Sequence, residues 1–320
     1  MAESTATLAG QPLARPTAAD IEFAKRKPRT LWSDAWLKFR RHRTAMIGSA
    51  ILLFFILATI FGPIVYTRSA SKVDFGQTSL SPSLEHPFGT NQLGQDQLAR
   101  AMYGGRISIA VGLLAMFVSI TLGIFIGAMA GFFGGMIDGW LMRLTELFLA
   151  LPVLPVLIMT VYLFRDPLRA AFGPQFGVLF LIVLLIGLFG WMAVARIVRA
   201  SFLSLKQKEF VEAANCLGVP THRIIFRHIL PNVLSPVIVA ATLAVGAAII
   251  TESTLSFLGL GFPPDFPTWG RMLFDAQDYL SISPHIALFP GLLIFLTVLS
   301  INYVGDGLRD ALDPRTLGKG

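Results

Sequence analysis

The chain has 320 residues, 54% hydrophobic against 14% charged, with a positive mean hydropathy and a formal net charge of +7. That is more apolar surface than one soluble core can bury, and it is blocked into long runs. An ordinary soluble globular domain is therefore excluded, and an all-α integral membrane protein is expected.

Residues 1–30 are rich in Ala, Thr and Pro with little that packs, and read as a flexible tail. Residues 31–45 are a basic amphipathic segment. The cluster from Lys25 to Arg43 is the ordinary pattern beside a first span, so no nucleic-acid partner is expected. The first apolar run starts after about 45 polar and basic residues, too late for a cleavable signal peptide, and the first span is expected to stay as an anchor. Six transmembrane helices are predicted, over about 46–66, 107–133, 138–164, 172–195, 231–251 and 286–305. Between the first two lies a loop, 67–106, too long for a turn and without a hydrophobic core of its own. In the second span Gly123, Gly127, Gly131 and Gly135 recur every four residues, so one face is nearly bare backbone and can approach another helix, in this bundle or in a partner. Asp138, Arg143 and Glu146 precede the uncharged part of the third span, which Pro152 and Pro155 interrupt.

The loop 199–231 contains EFVEAANCLGVPTHRIIFRHILPN, residues 209–232. Phe210, Ala214 and Leu217 recur at helical spacing, predicting a short amphipathic helix that Gly218 ends. Pro220 suits the first turn of a second short helix carrying Arg223 and Arg227, and Pro231 marks the start of the fifth span. On periodicity alone this is an interfacial helix pair lying on the membrane. Glu252 closes the fifth span after a long uncharged run, either as a functional acid near the membrane boundary or as a cap for the Ser-rich turn that follows. Gly259, Gly261, Pro263 and Pro264 make 251–267 a folded-back segment, and 306–320 reads as a second tail.

Counting Lys and Arg between spans puts nineteen of 26 on the side of the amino terminus, which the positive-inside rule assigns to the cytoplasm together with the carboxyl terminus and the loop 199–231. The lone Cys216 gives no disulfide or metal spacing, and the five histidines are scattered, so no metal and no catalytic residue is expected. A phosphate-cradling loop is missing too. The one Gly-Lys pair, Gly318 and Lys319, is followed by Gly320 and has Asp313 where the first glycine belongs.

The order Glu212, Ala213, Ala214, then Gly218, then Ile229, Leu230, Pro231 resembles the EAA loop of inner-membrane permease subunits in ATP-binding-cassette importers. HPFGTNQLGQDQLARAMYGGRIS (86–108), ESTLSFLGLGFPPDFPTWGRML (252–273) and GDGLRDALDPR (305–315) extend the match to the second permease of the dipeptide, oligopeptide and nickel importer family. The resemblance implies a type I importer permease fold and a coupling element seated in a groove of a cytoplasmic ATPase. Glu212, Ala213, Ala214 and Gly218 are its expected contact core, with Arg223, Arg227 and Pro231 secondary; the two arginines read equally well as inner-leaflet anchors. It also implies a second homologous permease, one or two ATPases that bind the ATP and Mg, an extracytoplasmic substrate-binding protein and a bacterial or archaeal inner membrane. In that family the loop 67–106 helps to meet the binding protein, which makes His86, Gly89, Asn91 and Asp96 docking candidates. Asn91 and Gln95 stand where members often carry an acid and a base, so an ion pair there is absent. Glu252, Gly259 and Gly261 are candidates for the outer gate. Short peptides are the commonest cargo implied, with nickel chelates, glutathione, opines and oligosaccharides as alternatives. Outside the family, a stand-alone secondary transporter is opposed by the lack of a clear internal repeat, and only Glu252, Asp138, Arg143 and Glu146 approach the membrane as ionisable residues for ion coupling.

Overall fold

The computed structural model describes residues 31–313. The tail expected over 1–30 and the last part of the tail expected over 306–320 lie outside the described residues.

The described chain is a bundle of helices. A short amphipathic helix α1 (Leu31–Arg41) stops at His42, whose Nδ1 accepts from the Ala45 amide at 3.3 Å and so caps α2 (Arg43–Val65). Ala35 and Phe39 of α1 pack against Ala45 and the end of α10 (His285–Leu312), which places residues 31 and 313 on one face of the bundle, termed here the terminal face. The loop 66–96 on the opposite, far face then leads to α3 (Gln97–Phe133).

Helix α3 begins at Gln97, well before the span predicted from 107. Asp96 accepts from the Ala99 amide at 2.8 Å and caps it. The charges that made 97–106 read as loop are met from elsewhere in the fold. Pro63, inside α2, has no N–H to offer the carbonyl of Thr59. Arg106 supplies the missing donor, Nε to Thr59 at 2.6 Å, and a guanidinium nitrogen adds a bond to the Ile60 carbonyl at 2.7 Å.

The predicted third span is two helices, α4 (Gly135–Ala150) and α5 (Val153–Phe172), bent by 83°. The cause is Pro152, which drives Leu151 into extended backbone (φ −71°, ψ 137°) and ends α4 there. α6 (Pro174–Lys206) runs parallel to α3, and the glycine face meets it within this chain. A Cβ on Gly123, Gly127 or Gly131 would lie 2.6, 2.5 or 2.6 Å from Val194, the Ala195 carbonyl or Phe202. Gly187 and Gly190 of α6 receive Val118 and Ser119 of α3 in return, so the seam is small on both sides. Gly135, the fourth glycine of the repeat, falls outside the seam at the start of α4.

α7 (Glu209–Cys216) follows on the terminal face, and α8 (Thr221–Phe257) returns through the bundle to the far face. A short far-face helix, α9 (Trp269–Ala276), precedes α10. Among the described residues, five helices are long and apolar enough to cross a membrane, or six if the bent α4–α5 pair counts as one.

Candidate functional site

Two places gather the residues singled out in the sequence. The first is the terminal-face loop between α6 and α8. Val211 and Ala214 turn inward onto Phe202, Ile224 and Ile229, forming a small apolar core continuous with the bundle. The helix ends in a paired reversal, with the Gly218 amide on the Asn215 carbonyl and the Val219 amide on the Ala214 carbonyl. That reversal requires the left-handed conformation Gly218 adopts, φ +71°.

The expected apolar face of α7 is therefore corrected. Phe210 and Leu217 point outward, Leu217 at 83% exposure, while Ala214 is held inside. In an eight-residue helix two phases of the period fit equally well, and the contacts of Val211 decide between them. Ala214 is thus removed from any outward contact core. Glu212, Ala213, Gly218, Arg223, Arg227 and Pro231 remain exposed. Phe226, 68% exposed, joins Phe210 and Leu217 as an outward apolar side chain that the spacing argument missed.

The second short helix is not separate from the fifth span. Thr221–Phe257 is continuous, passing through a wide π-helical turn over Ile224–Ile229. Pro231 lacks an N–H and its ring crowds the carbonyl of Arg227; the preceding wide turn, with the Leu230 amide on the Ile225 carbonyl, makes room for it. The Asn232 side chain donates to the His228 carbonyl at 2.7 Å. Beside this loop, Arg199 of α6 grips Asp138 of α4 through two nitrogens, and Lys206 donates to the Phe132 carbonyl at 2.7 Å. These contacts tie α4 and the end of α3 to the base of the loop.

The second place is on the far face, where the end of α8, the start of α3 and α9 interlock. Glu252 lies inside α8, which continues to Phe257, so it neither closes the helix nor caps a turn. It is fully buried and accepts from Ser256 at 2.7 Å and Ser108 at 3.3 Å. Ser108 Oγ also receives the Trp269 amide at 3.3 Å, and the Trp269 indole donates to the Ala101 carbonyl at 2.9 Å. Buried Arg100 reaches Asp275 at 3.1 Å, and Asp275 also holds Arg271 at 2.9 Å. Burial pushes the Asp275 carboxyl upward, with both arginines opposing. Gly259 follows the helix end and its carbonyl accepts from Arg165 of α5 at 3.2 Å; Gly261 lies against Ser256.

The docking candidates of the far-face loop are internal. His86, Asn91 and Asp96 are 3%, 1% and 5% exposed, and Gly89 is buried against His285. Asp96 receives Tyr66 Oη at 2.6 Å and faces His86 Nδ1 at 2.7 Å, and Asn91 donates to Gln95 at 2.9 Å. Burial and the Asp96 acceptor together push the Tyr66 hydroxyl upward. At Glu85, at the loop surface, the Arg68 hydrogen bond holds the carboxyl down. The four candidates hold the loop in shape, and Phe75 and Leu84 are among the side chains that face out.

A sequence profile described as "binding-protein-dependent transport system inner membrane component" matches residues 123–318, and one described as "N-terminal TM domain of oligopeptide transport permease C" matches 30–82. The chain is 41% identical over 297 residues to the oligopeptide transport system permease protein OppC of Haemophilus influenzae, covering 92% of both. It is 38% identical to the dipeptide transport system permease protein DppC of Bacillus subtilis, over 92% of this chain and 89% of that one. It is 36% identical to the glutathione transport system permease protein GsiD of Escherichia coli, over 91% and 92%. Among solved structures, an inward-facing MetNI methionine ABC transporter matches with a TM-score of 0.51 at 17% identity, over 66% of this chain and 94% of that one.

Proposed function

This chain belongs to the binding-protein-dependent inner-membrane permeases of ATP-binding-cassette importers, and we propose that it forms half of the pathway by which one such importer takes up short peptides. The observation that carries the cargo is the run of curated relatives named for oligopeptides and dipeptides across nearly the whole chain. One further relative named for glutathione favours glutathione as a second reading. Family membership leaves the stand-alone secondary transporter without support.

In this reading the terminal face is cytoplasmic, as its excess of Lys and Arg requires. The exposed side of the loop, Glu212, Ala213, Leu217 and Phe226 with Arg223 and Arg227 beside them, seats in a groove of a partner ATPase that binds ATP and Mg. An apolar contact ringed by charges suits that role, because the apolar centre supplies affinity and the charges set register. Val211 and Ala214 fasten α7 to the base of α6 and α8, so that movement of the ATPase is passed into two spans. A second homologous permease completes the pathway. The far-face loop, with Phe75 and Leu84 outward, meets an external binding protein.

The test is uptake of labelled di- and tripeptides, with glutathione as the comparison, in cells lacking this permease and supplied with it again. Restored peptide uptake that is lost on ATP depletion supports the proposal. Restored glutathione uptake with no peptide uptake selects the second reading, and uptake that survives loss of the partner ATPase refutes both.

A further inference from the structure

Four spans line a half-open hollow to which no role has been given above. α2 packs on α3 and on α10, and α8 packs on the same two, so the four helices form a ring. Between them is a half-open hollow of about 290 Å³, lined by side chains of all four, among them Leu52, Leu113, Met116, Ala241, Val245 and Ile301. Among the described residues, no charged side chain faces it. That is roughly twice the 150 Å³ apolar cavity known to stay dry and take up small apolar guests.

Among the described residues, two hydroxyl side chains touch the hollow, and one of them lacks a partner. Thr242 donates to the Val239 carbonyl at 2.8 Å, as Thr121, Thr145, Thr160, Thr251 and Thr254 donate to carbonyls of their own helices. Thr297, fully buried on α10, has no partner for its Oγ1. A single free hydroxyl falls short of the two to four polar partners a buried water needs. The occupant that suits this place is therefore apolar. Leu113, 48% exposed, stands at the open edge of the hollow, on a helix long and apolar enough to cross a membrane, so an open side facing the bilayer would meet hydrocarbon.

We propose that the ring of α2, α3, α8 and α10 is a binding site for one acyl chain of a membrane phospholipid. The inference needs the spans alone and is independent of the cargo or of the ATPase contact. A chain lodged there fills a space that would otherwise leave its lining without dispersion partners. It also makes the packing of α2 on the bundle depend on the bilayer.

The test uses the assembled importer in nanodiscs containing phosphatidylglycerol with a diazirine midway along one acyl chain. After photolysis, peptides carrying Leu113–Met116 and Ala241–Val245 are expected to be labelled well above the outward positions Phe54 and Ile64. Ala241→Phe, which puts a ring into the hollow, is expected to cut that labelling about tenfold, equivalent to 1.4 kcal/mol of preference, while leaving Phe54 and Ile64 unchanged. Labelling confined to outward positions, or unchanged by Ala241→Phe, overturns the proposal. If that variant fails to assemble, the unaltered importer in dibromostearoyl phospholipid decides by electron microscopy. Bromine density inside the ring supports the site, and a ring that is empty or filled by a side chain of the second permease overturns it.

Discussion

Val211→Ala tests what holds the loop helix. Val211 is fully buried between α7, Phe202 of α6 and Ile224 of α8, with Ala214 beside it. The substitution deletes two methyl groups, roughly 1.6 kcal/mol at 0.8 kcal/mol per carbon, and a small cavity term brings the cost to about 2 kcal/mol. Because every 1.4 kcal/mol is tenfold in population, the detached state of α7 should rise about thirtyfold. Hydrogen exchange on the importer in nanodiscs reads this directly: amides of 211–219 should lose about thirtyfold protection, those of the α3–α6 seam none. ATP-driven uptake should fall with it. Unchanged protection in α7 would refute the packing argument, and a loss of uptake with intact protection would mean that Val211 acts by touching a partner instead.

At the seam, Gly127→Leu forces a side chain into the Ala195 carbonyl and Val198, costing about 1–3 kcal/mol or more, and should abolish membrane abundance on an immunoblot; Gly139→Leu, with open space around its Cβ position, should not. Arg199→Gln leaves Asp138 without its bidentate partner and should raise protease cleavage near Pro152. The double variant with Asp138→Asn should recover roughly 1 kcal/mol of coupling in a denaturation cycle. Glu252→Leu orphans the hydroxyls of Ser108 and Ser256 and should lower the melting temperature of the purified importer, at about 1–3 kcal/mol per unsatisfied group, whereas Glu252→Gln keeps an acceptor and should lower it less. On the loop, Ala213→Leu should weaken ATPase co-purification with the chain still inserted; unaltered co-purification would remove Ala213 from the contact.

Five of the six expected spans, the glycine face and the terminal-face loop were legible because each is a local pattern: a run of carbons, a period of four, a Gly-x-Pro break. What escaped was set by partners distant in sequence. Gln97–Arg106 reads as loop to a hydropathy window, since Arg100 and Arg106 carry their full penalty there. The groups that relieve them, Asp275 and the carbonyls of Thr59 and Ile60, lie 175, 47 and 46 residues away. The same holds for Glu252, whose acceptor role depends on Ser108, 144 residues earlier. His86, Asn91 and Asp96 looked like surface residues because polar residues in long loops usually are, yet this loop builds its interior from them. Pro152 announced a break in the third span, but nothing local encodes an angle of 83°. The phase of α7 failed for want of length.

The π turn before Pro231 has a mechanical consequence. Had the chain broken there, the loop would meet the fifth span through a swivel, and small motions would be lost in it. Instead one strut of 37 residues runs from Thr221 to the level of Glu252 and beyond. At 1.5 Å per residue it is about 55 Å long, so tilting it by one degree about its inner end sweeps the outer end through about 1 Å. A tilt set at the terminal face would therefore displace the far end, near the contact of Glu252 with Ser108, much more than the inner turns beside the loop.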